Sequence, residues 1–370
     1  MIEVGEYRVA DGDSLETPAM LVFQSQLDHN IRTVCDLAGG GDRLMVHVKT
    51  HKSAAVTRRQ LEAGVAGFKC ATLKELEMVL DQGAIDAVLA YPLQQRRKVE
   101  RLLDLCAAHP RTQVAATCSD IAHLELLGQA AADRRQDLRV MLDLDVGMHR
   151  TGIAPGDEAE ELYRALAARP RLVPSGLHVY DGHEHISDPA TREAAARRHI
   201  DVVVAFRQRL EAAGLTVPRV IGGGSFSFPF WARTPGMQGS PGTCVYWDHG
   251  YAATMPDMPF KWAALVLGQV VDRHPAERTV TMDLGTKAVA PDPPTRSRLR
   301  VLGCPEAELV GQNEEHAIFS WAGDPPSVGT YFLAVPGHVC PTTICYPGSY
   351  LIDDAGEVID FYPHTARDRR

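Results

Sequence analysis

The chain has 370 residues, 45% of them apolar and 23% charged, and its 38 Lys and Arg against 47 Asp and Glu give a formal net charge of -9. That balance describes a globular chain long enough for two cores, and its sign argues against nucleic acid or an anionic membrane as a partner. No run approaches the roughly 18 uninterrupted apolar residues of a membrane span, Met1-Ile2-Glu3-Val4-Gly5-Glu6 is not a signal peptide, and the 8 cysteines are scattered without a CxxC pair, so reduced thiols and a cytoplasmic protein are expected.

Residues 1 to 17 read as short, polar and strand-capable. Ala19–Phe23 reads as a strand, followed by a helix that Ser25 can cap, with Leu27, Ile31, Val34 and Ala38 on one face and Gly39-Gly40-Gly41 at its end. Further strand-like runs occur at Leu44–Val48, Ala66–Cys70, Asp86–Ala90, Gln113–Thr117, Arg139–Asp145, Gly176–Tyr180 and Arg219–Gly222, with helical patterns such as Ala54–Leu61, Thr72–Gln82 and Ala190–Ala213 between them. Eight strands alternating with helices predict an α/β fold, a parallel (β/α)8 barrel over 18–250. After about Tyr251 the texture changes. Trp262–Val271, Thr279–Asp283, Arg298–Leu302, His316–Trp321, Thr330–Pro336 and Ser349–Ile352 are strand-like with Pro/Gly turns between them, which predicts a mainly antiparallel β domain formed by 251–370 with 1–17.

The chemistry-bearing strings fall where the predicted barrel strands end, the rim on which such barrels carry their sites. Lys49, in His47-Val48-Lys49-Thr50-His51-Lys52, is either a solvated strand-end lysine or a part-buried amine able to attack a carbonyl. Asp143-Leu144-Asp145-Val146-Gly147-Met148-His149-Arg150-Thr151-Gly152 offers the fixed cation Arg150, and His178-Val179-Tyr180-Asp181-Gly182-His183-Glu184-His185 offers Tyr180 and two histidines without helical HExxH spacing. Gly222-Gly223-Gly224-Ser225 and Ser240-Pro241-Gly242-Thr243 are either tight turns or a backbone cradle for a phosphate; they match neither a dinucleotide fingerprint nor a Walker loop. In the β domain, His338 and Cys340 would converge if the chain is extended there, an imidazole and a thiolate suited to a divalent ion, with Cys345 a lesser alternative.

In their order these strings resemble the D-threonine aldolase / D-serine dehydratase group of fold-type III pyridoxal-phosphate enzymes, whose barrel is that of the alanine racemases, and the resemblance covers nearly the whole chain. It implies a lyase acting on a small D-amino acid, using pyridoxal 5'-phosphate and a divalent metal ion, Zn or Mn. It makes Lys49 the Schiff-base lysine, Arg150 the donor to the cofactor's phenolic oxygen and Tyr180 the residue stacked on its ring. Gly223, Gly224, Ser225, Gly242 and Thr243 become the phosphate cradle, and His338 and Cys340 the metal ligands, which alanine racemases lack. Ser240 stands where a racemase has the arginine facing the pyridine nitrogen, Asp143 where it has a modified lysine, and no counterpart of its second, tyrosine base is evident.

One-base chemistry is therefore expected. Either it is a retro-aldol cleavage in which His185, His183 or a metal-bound water takes the hydroxyl proton, or it is a dehydration in which Lys49 takes the Cα proton. The His-x-Cys pair leans toward the dehydratases (acting on D-serine, D-threonine or 3-hydroxy-D-aspartate), whereas Phe68-Lys69-Cys70-Ala71-Thr72 and Ser240–Tyr246 lean toward the aldolases, and aldolase is the leading expectation. A non-catalytic carrier of the same barrel type is disfavoured by the C-terminal third. The group also implies a head-to-tail homodimer in which His338 and Cys340 act near the partner's barrel, with Asp283 and Lys287 either at that seam or in ordinary strand-turn roles.

Overall fold

The computed structural model describes residues 1–369 and divides into two compact units. One comprises Val34–Lys49 and Thr57–Gly242 with the last residues, and the other Met1–Thr33, Thr50–Val56 and Thr243–Arg367.

The first unit is the barrel. Its strands lie in the order Met45–His47, Gly67–Cys70, Asp86–Leu89, Gln113–Cys118, Leu138–Leu144, Leu172–Val179, Val220–Gly222 and Met237–Gly239, every neighbouring pair parallel. A parallel bridge from Leu44 to Gly239 joins the last strand to the first. These strands read as unbroken apolar runs because helices cover their outer faces. The helices are set by their first residues: Thr72 accepts from Glu75 N ahead of Leu73–Asp81, Asp120 from Ala122 N ahead of Ile121–Arg134, and Asp188 from Thr191 N ahead of Pro189–Ala212, each bond satisfying an amide with no partner inside its helix. Inside the barrel Met45, Val88, Ala115, Met141 and Ile221 form a fully buried layer, and each larger member contributes on the order of 1.5–3 kcal/mol by leaving water.

The second unit is built on the sheet order Ala307–Gln312, Ala317–Trp321, Thr279–Met282, Ala264–His274, Ala19–Phe23, Gly348–Ile352 and Val358–Pro363. Tyr331–Pro336 also pairs with Ala264–His274, and Leu299–Val301 with Tyr331–Pro336. All pairs are antiparallel except Ala19–Phe23 with Gly348–Ile352. The N-terminal residues join this unit: Tyr7 and Val9 pack in one of its two apolar clusters.

Ala19–Phe23 is therefore not the barrel's first strand. Met20 and Val22 enter one cluster of the β unit, and Ala19, Leu21 and Phe23 enter the other. A strand buried on both faces carries no alternation, so its text cannot be told from that of a barrel strand. The barrel completes its eight with Met237–Gly239, whose Gln238 and Gly239 leave no apolar run to read. The units consequently differ from the boundaries expected at 18 and 251: residues 18–33, 50–56 and 243–250 fall in the β unit. Ser25 lies in the first turn of Gln24–Ala38 rather than ahead of it. Ala307–Gln312 and Val358–Pro363 escaped the sequence reading because they are edge strands, the latter mostly exposed.

One buried histidine makes the β unit acid-sensitive. The Nδ1 of His364 lies 3.0 Å from the carbonyl oxygens of both Thr343 and Tyr346, and its Nε2 lies 2.8 Å from Ser349 Oγ. Burial, outweighing those carbonyls, pushes its pKa down to about 4. The unfolded imidazole titrates near ~6.5, so between those values the unfolded chain binds more protons; the stabilisation is full above the unfolded value and is lost as pH falls toward the folded one. Thermal melts should show a midpoint that drops between neutral pH and about pH 4.5. His364→Gln should lower the midpoint at neutral pH and flatten the drop; an equally steep drop in that variant would assign the effect elsewhere.

Candidate active site

Lys49 lies half-buried in the turn two residues beyond Met45–His47. Its backbone N–H donates to His47 Nδ1 (3.2 Å), and the adjoining amides of His47 and Val48 donate to Pro241 O (2.7 Å) and Lys69 O (3.1 Å), which tie the turn to the strands on either side. Its Nζ sits 5.8 Å from the centroid of the Tyr180 ring. Arg150 approaches the same ring at 4.9 Å, and so does a third cation that the sequence reading passed over: Lys69 Nζ, at 5.4 Å.

The loop carrying Arg150 is shaped by Asp145, whose Oδ1 accepts from Gly147 N and His149 N while its Oδ2 pairs with His149 Nδ1. At Gly152, where φ is +101°, a Cβ would lie 2.6 Å from Asp145 N, so the close return of that loop needs a residue without a side chain. Tyr180 follows Leu172–Val179 and is pressed between backbones; a Cβ on Gly224 would come within 2.9 Å of its ring.

Under the glycine-rich turn, buried Asp181 accepts from Ser227 Oγ (2.7 Å) and Trp231 Nε1 (2.9 Å), and Ser227 Oγ in turn accepts from Gly224 N (3.2 Å). Gly223 holds φ at +82° against Trp231. Ser225 Oγ accepts from Gly242 N at 3.4 Å, so the two glycine strings expected to form one cradle do meet. Buried Ser240 Oγ has no hydrogen-bond partner. Thr243 belongs to the β unit, where its Oγ1 lies 3.5 Å from Cys340 Sγ.

Deeper in the barrel, Asp143 and His178 are register partners on adjacent strands, with Asp143 Oδ1 2.6 Å from His178 Nδ1 and His178 Nε2 left without a partner. Burial lowers the His178 pKa, and Asp143 opposes the shift. Lys69, close by, is strongly perturbed. Burial first, then Lys49 and, less strongly, Arg150 push its pKa down to about 7 against the pull of Asp143 and Asp181. Lys69 was legible as a lysine inside the otherwise apolar strand Gly67–Cys70, but a strand end drew the reading to Lys49 instead.

The two histidines expected as bases differ. His185 is exposed, its ring edge-on to Phe226 at 4.9 Å. His183 is half-buried with Nε2 3.7 Å from Glu184 Oε1, which also lies 3.0 Å from His199 Nε2; His183 Nδ1 has no partner. Among the described residues, His183, Glu184 and His199 form a group of three potential ligands, with ligand atoms within 4.8 Å of one another.

In the β unit the expected extended strand at His338 and Cys340 is instead the start of a short helix, Val339–Thr343, with His338 in front of it. The two side chains are nevertheless close enough for Cys340 to hydrogen-bond His338. His338 Nδ1 is also 2.5 Å from Asp292 Oδ2. Burial works against the imidazolium, but Cys340 and Asp292 outweigh it and hold the His338 pKa up to about 9. Asp248 accepts from Val339 N (3.0 Å) and Tyr251 N (2.9 Å), anchoring that turn to the helix His249–Thr254. Cys345, the lesser alternative, donates to Pro341 O, and burial pushes its thiol up. Asp283 accepts from Gln269 N and Lys287 pairs with Glu314 and Glu315, which are local strand-turn roles.

These residues fit a planar, anionic cofactor. Three cations and an aromatic face converge, a glycine turn leaves no room for side chains, and buried Ser240 Oγ and His178 Nε2 want partners. The imidazole–thiol pair with a carboxylate behind the imidazole likewise suits a divalent ion.

A (β/α)8 barrel with a lysine beyond its first strand, joined in one chain to a mainly antiparallel β unit, is the architecture of the alanine-racemase class of pyridoxal-phosphate enzymes, fold type III. The chain belongs to that family: "Alanine racemase, N-terminal domain" matches residues 22–249, and "Putative serine dehydratase domain" matches 263–352. Curated relatives include the D-threonine aldolase of Arthrobacter sp (27% identical, over 96% of this chain and 94% of that one) and the D-threo-3-hydroxyaspartate dehydratase of Delftia sp. strain HT23 (25%, over 93% and 96%). Among solved structures, D-threonine aldolase from Filomicrobium marinum superposes with a TM-score of 0.88 at 28% identity, covering 95% of this chain and 96% of that one. The protein is an enzyme, a pyridoxal-phosphate-dependent lyase. Among the described residues no helix is long and apolar enough to cross a membrane.

Proposed function

We propose that the chain cleaves D-β-hydroxy-α-amino acids, first of all as a D-threonine aldolase giving glycine and an aldehyde, with pyridoxal 5'-phosphate held at Lys49 and a divalent metal ion, Zn or Mn, held at His338 and Cys340. The observation that carries the reading is the convergence of Lys49 and Arg150 over the Tyr180 ring beside the joined glycine strings. The full-length aldolase relatives support it.

When bound, the cofactor would supply an electron sink for the bond broken at the substrate's Cα. The metal would supply a Lewis acid for the β-hydroxyl. The chain's own residues do the rest. Lys49 would hold the cofactor covalently. Tyr180 would pack against its ring, Arg150 would donate to its oxygen, and Gly223, Gly224, Ser225, Gly242 and Thr243 would bind its phosphate. Ser240, a neutral hydroxyl without a hydrogen-bond partner, would stand where a racemase carries an arginine. His183 takes the hydroxyl proton; its unpartnered nitrogen favours it over exposed His185.

Dehydration is the second reading, favoured by the His-x-Cys pair and by the dehydratase relative. There Lys49 takes the Cα proton and the hydroxide leaves. Incubation with D-threonine, D-serine and 3-hydroxy-D-aspartate in the presence of Zn or Mn separates the two. An aldehyde plus glycine is the expected result; a 2-oxo acid plus ammonia selects dehydration, and no product from any of them sinks both. The working form is proposed to be a cytoplasmic homodimer, which sedimentation would check.

A further inference from the structure

We propose that Lys69 is a second cofactor-binding amine of the barrel, one that takes up a proton as the anionic cofactor enters and holds its negative charge while Lys49 makes the covalent bond. The inference rests on the cofactor assignment above and adds to it a residue that assignment does not use.

The argument begins with placement. Lys69 is in the middle of a fully buried strand, and only 2% of its surface is exposed, yet its ammonium reaches the same aromatic face as Lys49 and Arg150. A buried amine of this kind needs a counter-charge. The two carboxylates that face it are engaged elsewhere: Asp143 with His178, and Asp181 with both Ser227 and Trp231. The groups acting on Lys69 are therefore two cations, Lys49 and Arg150, and two carboxylates already shared with other donors, around the neutral ring of Tyr180. With a pKa of about 7 the amine is close to half protonated at neutrality. An incoming dianion changes that balance. It restores the missing counter-charge, favours the ammonium, and so couples cofactor binding to uptake of one proton.

The sign of the linkage follows. Where the bound state holds one proton more than the free state, affinity falls as pH rises through the free amine's titration, by up to about tenfold per pH unit. A lysine whose only task is packing in the strand gives no such slope.

The test uses pyridoxine 5'-phosphate, which has the cofactor's ring and phosphate but no aldehyde, so that covalent capture by Lys49 is not read. Binding is followed by tryptophan fluorescence from pH 6 to 9 in the wild type, Lys69→Met and Lys69→Arg. The expected result is a wild-type affinity that declines above neutrality. Lys69→Met should bind at least about tenfold more weakly at pH 6 with a shallower decline, the loss of one charge-assisted contact. Lys69→Arg, charged throughout, should bind tightly with the same shallower decline. Slopes identical in all three proteins overturn the proposal while leaving the cofactor site intact. If Lys69→Met does not fold, Lys69→Arg alone decides, since an undiminished slope there removes the linked proton from Lys69. Failure of the wild type to bind either this probe or pyridoxal phosphate overturns the cofactor assignment as well.

Discussion

Lys49→Ala should leave a folded protein that no longer develops a visible absorbance band with pyridoxal phosphate and whose turnover is lower by about 10³-fold or more, the scale on which loss of a group acting in the chemical step is felt. The expectation follows from how the residue is held. Its backbone is fixed by bonds to the flanking strands, whereas its side chain is half-exposed and makes no structural ion pair that alanine would orphan. Stability should change by less than about 0.5 kcal/mol, as for a surface substitution. Borohydride reduction followed by peptide mapping is the sharper reading. Label should fall on the Lys49 peptide of the wild type, and the variant should take up none there. A wild-type label on Lys69 instead, or full turnover in the variant, would exchange the roles of the two amines.

Exhaustive chelation should lower turnover by more than about 100-fold, with recovery on adding Mn or Zn, if the ion polarises the bond that breaks. His338→Ala and Cys340→Ala should each abolish stoichiometric metal, measured as bound ion per chain, because each removes half of the donor pair. Asp292→Asn should be milder. The carboxylate beside His338 Nδ1 would orient the imidazole and not serve as a ligand, and loss of such a partner costs about 10–100-fold in metal affinity. A graded order, ligand variants worse than Asp292→Asn, supports a site at this helix start. Metal retained in Cys340→Ala and lost on changing His183 or His199 would move the ion to the barrel's three-residue group.

The barrel was readable from its alternation of apolar runs and helices because parallel strands are covered on both faces and sit at regular intervals. The same property misled at Ala19–Phe23, which is covered on both faces for another reason: it is an internal strand of the β unit, packed between its two apolar clusters. Candidate residues at strand ends stand out in the sequence because barrels of this kind carry their chemistry there. Lys69 and the Asp143–His178 pair do not, since they lie one layer down and their meaning depends on register across strands, which spacing along the chain does not report. At His338 and Cys340 the chain is the start of a helix and not the extended strand expected, although the two side chains still interact.

The position of Ala19–Phe23 also dictates an order of events during translation. Barrel strands pair with the next strand along the chain, so that unit can assemble as it leaves the ribosome. Ala19–Phe23 leaves before any barrel strand, yet its neighbours, Ala264–His274 and Gly348–Ile352, are made only after the whole barrel. An apolar ribbon with both edges open must wait for the rest of the polypeptide, a separation that slows pairing and invites association with other nascent chains. A recombinant fragment starting at residue 243 would lack the strand that joins Ala264–His274 to Gly348–Ile352, so this half of the enzyme cannot be dissected out by simple truncation.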